Sequence, residues 1–124
     1  MNTIILGDLS FFYDSNALWN KYIGSNLRVI VINNRGGNVF SLIKGPSDSP
    51  AFEEHFFTEN KFNAEGLARV FGLDYFKAES DQGLEIALKD FYSPFNEKAS
   101  LLEIFTDAEI NTEIFRGLFK YVKQ

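Results

Sequence analysis

The chain contains no cysteine, three prolines and a single histidine among its 124 residues. The absence of cysteine excludes a disulfide scaffold and a thiolate metal site, and it is compatible with a reducing compartment. No run of about eighteen apolar residues occurs, so the sequence predicts no membrane span. The N-terminus, MNTIILGD, has neither the basic flank nor the long apolar core of a signal peptide. We therefore expect a cytoplasmic protein.

Basic charge is also scarce. Twelve lysines and arginines stand against 17 aspartates and glutamates, which gives a formal net charge of −5 and a pI near 4.8. Because proteins that bind nucleic acid present a clustered basic surface, we predict no nucleic-acid partner. Apolar residues are plentiful, at 45% of the chain with 14 phenylalanines. This content suits one domain with a modest core, and we expect residues 1–124 to form it.

Short apolar runs alternate with segments of helical periodicity. Residues 3–6 predict a short buried strand, and the continuously apolar residues 29–32 predict a central parallel strand covered on both faces. Further strands are predicted at 74–80 and 99–107, and helices at 14–23, 63–72, 81–92 and 108–123. The alternation predicts an α/β fold: a doubly wound, mainly parallel sheet with helices on both faces.

A carboxylate stands where the first predicted strand ends. Gly7 and Asp8 close the apolar run, and the chain then continues through Leu9 and Ser10 into further apolar residues. A buried, ionised aspartate costs free energy unless a cation or a set of donors compensates it. Gly-Asp is also an ordinary surface turn, so the dipeptide alone does not decide between the two interpretations.

The second predicted strand ends in Asn33, Asn34, Arg35, Gly36 and Gly37. Carboxyl ends of parallel strands open on one edge of a sheet, and right-handed crossovers bring successive strands together. The Asp8 carboxylate, an asparagine amide oxygen and the carbonyls of a glycine-rich turn would then surround one point. Such hard oxygen ligands, together with a diphosphate and water, suit Mg²⁺. Backbone N–H groups after Asp8 suit the diphosphate itself.

These residues carry a resemblance to a known family. GDLS followed by Asn33 and Asn34, with 23 residues between Leu9 and Asn33, resembles the thiamine-diphosphate fingerprint, GDG and then NN, with Leu9 where the family commonly has glycine. The segments GDLSFFYDSNALW and NNRGGNVFSL are similar to one branch, the 2-succinyl-5-enolpyruvyl-6-hydroxy-3-cyclohexene-1-carboxylate synthases (SEPHCHC synthases) of menaquinone biosynthesis. The resemblance covers the whole chain in its order of elements.

The resemblance implies roles for individual residues. Asp8, the side chain of Asn34 and the carbonyl of Gly36 would hold Mg²⁺ (or Mn²⁺). Residues at the same strand ends would bind thiamine diphosphate: Gly7, Asp8, Leu9, Ser10, Asn34, Gly36 and Gly37. A further set would line the substrate: Val39, Phe40 and, more weakly, Ile43. No catalytic residue is expected within this chain, since the activating glutamate of the family lies on another domain.

The resemblance also implies a larger protein. The chain would be the C-terminal part of a diphosphate-binding domain, truncated on its N-terminal side, and inactive in isolation. The intact enzyme would contain further N-terminal domains and form a homodimer or homotetramer. It would decarboxylate 2-oxoglutarate and add the succinyl-semialdehyde unit to isochorismate.

Two alternatives remain open from the residues. One is another thiamine-diphosphate enzyme, of the 2-oxoacid decarboxylase or acetolactate synthase type, although those branches usually keep GDG and lack NNxGGxxFS. The other is a non-enzymatic receiver-like α/β module. A receiver needs an acidic pair after its first strand and a lysine near the end of a late strand, whereas TIILGDLS offers one acid and LLEIFTD no lysine.

Overall fold

The computed structural model describes residues 1–37, 49–50, 54 and 58–122. The predicted substrate-lining residues Val39, Phe40 and Ile43 lie outside this set. The strands are β1 (Asn2–Gly7), β2 (Leu27–Asn33), β3 (Gly36–Gly37), β4 (Thr58–Glu59), β5 (Asp74–Ala78) and β6 (Ser100–Phe105). The α-helices are α1 (Asp8–Tyr13), α2 (Glu65–Val70), α3 (Asp81–Phe91) and α4 (Ala108–Val122), and a 3₁₀ turn spans Ser15–Leu18.

Four of the strands form one parallel sheet in the order β1-β2-β6-β5. At the carboxyl edge Gly7 stands opposite Ile32, and Asn33 stands opposite Phe105. The first two predicted strands are therefore direct neighbours, as the crossover rule predicts. Their carboxyl ends meet at one edge of the sheet.

Helices cover both faces of this sheet. On one face Val29, Val31 and Leu101 pack with Phe11 of α1 and Ala68 of α2. On the other face the next residues along β2 and β6 pack against α3, in a cluster of Ile30, Leu102, Ala87 and Phe91. A strand buried on both faces needs apolar residues at successive positions, which explains the unbroken apolar run of β2. The prediction of a doubly wound α/β fold is confirmed.

The helix predicted at 14–23 is wrong. The helix begins earlier, at Asp8, directly after β1, and ends at Tyr13, and only the 3₁₀ turn follows it. Asn20 explains the irregular stretch, because its amide donates to the carbonyl of Ala17 (3.0 Å) and accepts from the N–H of Tyr22 (2.9 Å). Such local bonds compete with helical ones. Trp19, which a helix would have turned to the core, is 84% exposed.

The prediction that the first strand is buried is also wrong. β1 lies at an edge of the sheet, and Ile4 and Ile5 are 45% and 66% exposed. Within the part of the chain that the structure describes, β1 pairs with β2 alone. Apolar composition identified the strand correctly, but its burial depends on a neighbour on its second side.

Candidate functional site

A cleft of about 470 Å³ opens at the carboxyl edge, between the β1–α1 junction and the turn after β2. Every sequence-predicted metal and diphosphate residue lines it: Gly7, Asp8, Leu9, Ser10, Asn34, Gly36 and Gly37. The other lining residues were not predicted from the sequence: Ile32 and, from α4, Asn111, Thr112 and Phe115. Helix α4 follows β6, which is next to β2 in the sheet and ends at the same edge. The position of α4 beside the cleft could therefore have been predicted only from the order of the strands.

Asp8 is the first residue of α1 and is 2% exposed. Its Oδ2 accepts a hydrogen bond from Nδ2 of Asn60 (3.0 Å). Among the described residues no donor reaches Oδ1 of Asp8. A single neutral donor compensates a buried carboxylate only in part, so the site favours an added cation.

The two consecutive asparagines have different surroundings. Asn33 is fully buried: its Nδ2 donates to Glu103 Oε1 (2.7 Å) and to the carbonyl of Phe62 (3.1 Å). Its Oδ1 accepts from the N–H of Arg35 (2.9 Å). Asn34 instead lines the cleft, and its side chain makes no hydrogen bond to any residue within the described ranges. Asn33 is thus committed to the fold, while the amide of Asn34 remains available to a ligand.

The turn after β2 is tightly built. Arg35 has a φ of +64°, a left-handed conformation that is uncommon outside glycine, and its N–H is held by the Asn33 side chain. Gly36 and Gly37 then pair with Glu59 and Thr58 of β4.

Leu9 and Gly37 are in close contact across the cleft wall. A Cβ added at Gly37 would lie 2.9 Å from Cδ1 of Leu9, a separation that real side chains essentially never show. A side chain at position 37 would therefore require the end of the Leu9 side chain to move. The contact joins the start of α1 to the turn after β2, so the two halves of the cleft pack directly on each other.

Glu103 fixes the side chain of Asn33, which in turn holds the N–H of Arg35 in this turn. It stands in the middle of β6, is fully buried, and accepts hydrogen bonds from Asn33 Nδ2 (2.7 Å), the N–H of Ala64 (2.9 Å) and the hydroxyl of Tyr75 (2.7 Å). Burial, followed by the neighbouring Glu103 carboxylate, raises the pKa of the Tyr75 hydroxyl above its ordinary value. A glutamate inside the apolar run LLEIF was the available sequence signal for this network, and it was missed.

Tyr75→Phe should lower the free energy of unfolding by roughly 1.5–3 kcal/mol at pH 7, the worth of a hydrogen bond to a charged group. Because the pKa is raised in the folded state, this contribution is complete below the ordinary tyrosine pKa of about 10. Above that pH the unfolded chain ionises first, so the difference between wild type and variant should shrink. Urea denaturation at pH 7 and at about pH 11 measures both effects.

The control for this prediction is Tyr13→Phe, since Tyr13 is exposed on α1. Because the Tyr13 hydroxyl is exposed, this substitution should leave the free energy of unfolding unchanged at both pH values. A Tyr75→Phe deficit that stayed constant with pH would contradict a raised pKa of Tyr75 in the folded state.

A larger cleft, of about 700 Å³, lies on the other side of the Arg35 turn. Its lysines are paired inside it, Lys61 with Glu59 (3.4 Å) and Lys77 with Glu79 (3.3 Å). These are exposed pairs whose charges already compensate each other. Arg35 also lines this larger cleft, but every metal and diphosphate residue predicted from the sequence lines the cleft with Asp8, which is therefore the candidate site.

The donors at the Asp8 cleft limit which metal it can hold. Across residues 1–37, 49–50, 54 and 58–122, no group of three or more histidine, cysteine, aspartate or glutamate side chains comes together. A metal at the cleft would thus meet one carboxylate, Asp8, with neutral oxygens around it. Separately, none of the helices described has the length and apolarity to cross a membrane.

A parallel sheet with a cleft at its carboxyl edge, lined by a buried carboxylate and a glycine-rich turn, defines a ligand-binding α/β domain of the doubly wound class. No protein-family model matches the chain. It is 47% identical over 121 residues to the 2-succinyl-5-enolpyruvyl-6-hydroxy-3-cyclohexene-1-carboxylate synthase of Christiangramia forsetii and 46% identical over 122 residues to that of Cytophaga hutchinsonii. The synthase of Flavobacterium johnsoniae is 42% identical over 119 residues.

These alignments cover 98%, 98% and 96% of this chain, but 21%, 22% and 21% of the three relatives. The chain is therefore related to a part of the SEPHCHC synthases and spans about a fifth of their length. This finding confirms the resemblance drawn from GDLS and NNRGGNVFSL.

Proposed function

We propose that this chain is the diphosphate- and metal-binding part of a thiamine-diphosphate-dependent SEPHCHC synthase, the C-terminal part of its diphosphate-binding domain. One observation carries the proposal: all the metal and diphosphate residues named from the motif line a single cleft. That cleft lies in a chain up to 47% identical to synthases of this name. The alternative thiamine-diphosphate branches and the receiver-like module gain no comparable support.

In this proposal Asp8, the Asn34 amide and the Gly36 carbonyl hold Mg²⁺ or Mn²⁺. The donor set fits such an ion, since Mg²⁺ takes oxygen ligands and is commonly bound by one or two carboxylates together with substrate phosphates. The buried Asp8 supplies the charge, and Asn34 supplies a side chain that no described residue engages.

The diphosphate would lie along Gly7, Leu9, Ser10 and Gly37. Among the described residues, no atom outside Gly7 and its two chain neighbours lies within 4 Å of the position a Cβ would occupy at Gly7, which leaves room there for a ligand. When bound, thiamine diphosphate supplies the carbanion-stabilising chemistry, and the protein positions it. We propose Val39, Phe40 and Ile43 as the substrate wall; they lie outside the described residues.

The rest of the intact synthase would correspond to the part of the relatives with which this chain does not align. We propose that this remaining part supplies the activating glutamate. The intact protein would form a homodimer or homotetramer and work in the cytoplasm. The intact protein would then decarboxylate 2-oxoglutarate and transfer the four-carbon unit to isochorismate.

The test is turnover by the full-length protein with 2-oxoglutarate, isochorismate, thiamine diphosphate and Mg²⁺. We expect release of CO₂ and consumption of isochorismate, both lost when either cofactor is omitted. Turnover is measured by a coupled assay of CO₂ release and by chromatography of the product. We expect no turnover with residues 1–124 alone.

Pyruvate in place of 2-oxoglutarate is the matched control for the alternative branches. Faster turnover of pyruvate, without any requirement for isochorismate, would favour the decarboxylase or acetolactate synthase type and reject the proposed reaction.

A further inference from the structure

Asn60 lines the larger cleft rather than the Asp8 cleft, but it is hydrogen-bonded to two segments whose residues form the Asp8 cleft. It is 3% exposed and follows β4 directly. Its side-chain Nδ2 donates to Asp8 Oδ2 (3.0 Å), and its main-chain N–H donates to the carbonyl of Arg35 (2.8 Å). One buried residue therefore contacts both the carboxylate at the end of β1 and the turn after β2.

The Asn60 side chain is itself fixed. Its Oδ1 accepts from the N–H of Phe62 (2.8 Å), so the amide cannot turn over without losing two hydrogen bonds. The residue before it, Glu59, is paired with Gly36 across the short β3–β4 ladder. Asn60 thus has a defined position relative to Gly36 as well as to Asp8.

On the basis of the proposed function, we infer that Asn60 is a positioning residue for the divalent metal. It holds Asp8 through Oδ2, which leaves Oδ1 without a donor among the described residues, and it fixes the Arg35 turn that carries Gly36. It is not itself a metal ligand. A neutral donor suits this role, because a lysine would neutralise Asp8 and compete with the cation. Partners that orient metal ligands typically change metal affinity by about 10–100-fold when they are removed.

The experiment compares full-length wild type with Asn60→Ser. Serine can still accept from the N–H of residue 62, as hydroxyl turns do, but its shorter side chain cannot reach Asp8. Mn²⁺ is titrated in the presence of thiamine diphosphate and followed by electron paramagnetic resonance. We expect the dissociation constant for Mn²⁺ to rise about 10–100-fold, with an altered spectrum of the bound ion.

The matched control is Asn63→Ser. Asn63 also accepts a local backbone hydrogen bond, from the N–H of Glu65 (3.2 Å), but it is exposed and, within the described residues, its side chain makes no hydrogen bond to Asp8. Its Mn²⁺ affinity should match that of wild type.

Unchanged Mn²⁺ affinity in Asn60→Ser would overturn the inference, as would an equal loss in Asn63→Ser. Circular dichroism of the cofactor-free proteins separates positioning from folding, since loss of the folded spectrum in Asn60→Ser would assign the residue to fold stability alone and reject the inference. If the wild-type protein bound no Mn²⁺, the proposed function itself would fail, and the role of Asn60 with it.

Discussion

Asp8→Asn in the full-length protein should lower the Mg²⁺-dependent affinity for thiamine diphosphate by roughly 100-fold or more, beyond what loss of an orienting partner costs. The substitution keeps the size of the side chain, and its remaining carbonyl oxygen can still accept from Asn60. What it removes is the negative charge, and Asp8 is the one carboxylate among the described residues that line the cleft. Calorimetric titration with thiamine diphosphate at fixed Mg²⁺ measures the effect.

The fold should tolerate this change. The wild-type carboxylate is buried with one neutral donor, so replacing it by an amide leaves no charge uncompensated, and the cofactor-free variant should be at least as stable as wild type. Asp14→Asn is the control, since Asp14 is exposed at the end of α1 and carries the same charge. Equal cofactor affinity in wild type and Asp8→Asn would rule out Asp8 as a metal ligand.

Glu103→Ala should lower the stability of the sheet by about 3–5 kcal/mol. The substitution leaves two buried donors unpaired, on Asn33 and Ala64, and a half-buried one on Tyr75, and each buried unsatisfied group costs about 1–3 kcal/mol before relaxation. Native-state hydrogen exchange of the full-length protein, read at the β2 amides, reports the loss as a lower opening free energy.

Glu103→Gln tests the geometry of the network more finely. An amide has one acceptor oxygen, so its NH₂ group must oppose a donor: either that of Asn33 or those of Ala64 and Tyr75. Asn33 cannot turn over to help, because its own amide is tied to Arg35 and Phe62. We expect a loss of about 1–3 kcal/mol, smaller than for alanine.

Glu79→Ala is the matched control for both Glu103 variants. Glu79 is exposed and, among the described residues, its one ion pair is with Lys77 at the surface, so its loss should change stability by less than about 0.5 kcal/mol. Opening free energies within about 1 kcal/mol of wild type for Glu103→Ala would show that the network is not a structural anchor.

Local sequence chemistry predicted most of the regular elements. Helix α3 begins where Ser80 accepts from the N–H of Gly83, and α2 is followed by Gly72 in a left-handed conformation, both typical of these residue types at helix ends. The wrong prediction of a helix at 14–23 also has a local cause. The turn formed by Asn20 was visible in the sequence, but the prediction gave more weight to the helical periodicity of the residues around it. The edge position of β1 had no local signal at all.

The sequence by itself determined that this chain forms a parallel α/β sheet, that Asp8 and the turn of residues 34–37 follow neighbouring strands, and that it is similar to the SEPHCHC synthases. These depend on residue type and spacing along the chain, which the sequence displays directly. Only the tertiary structure decided that Asn33 is bound within the fold and that Glu103 of β6 accepts its hydrogen bond. Only the structure, too, showed that Asn60 joins the turn after β2 to Asp8. Asn33 and Glu103 are 70 residues apart in the sequence, and Asn60 and Asp8 are 52 apart. Strand order and side-chain direction determine which residues so distant in sequence form hydrogen bonds, and residue types alone do not specify either.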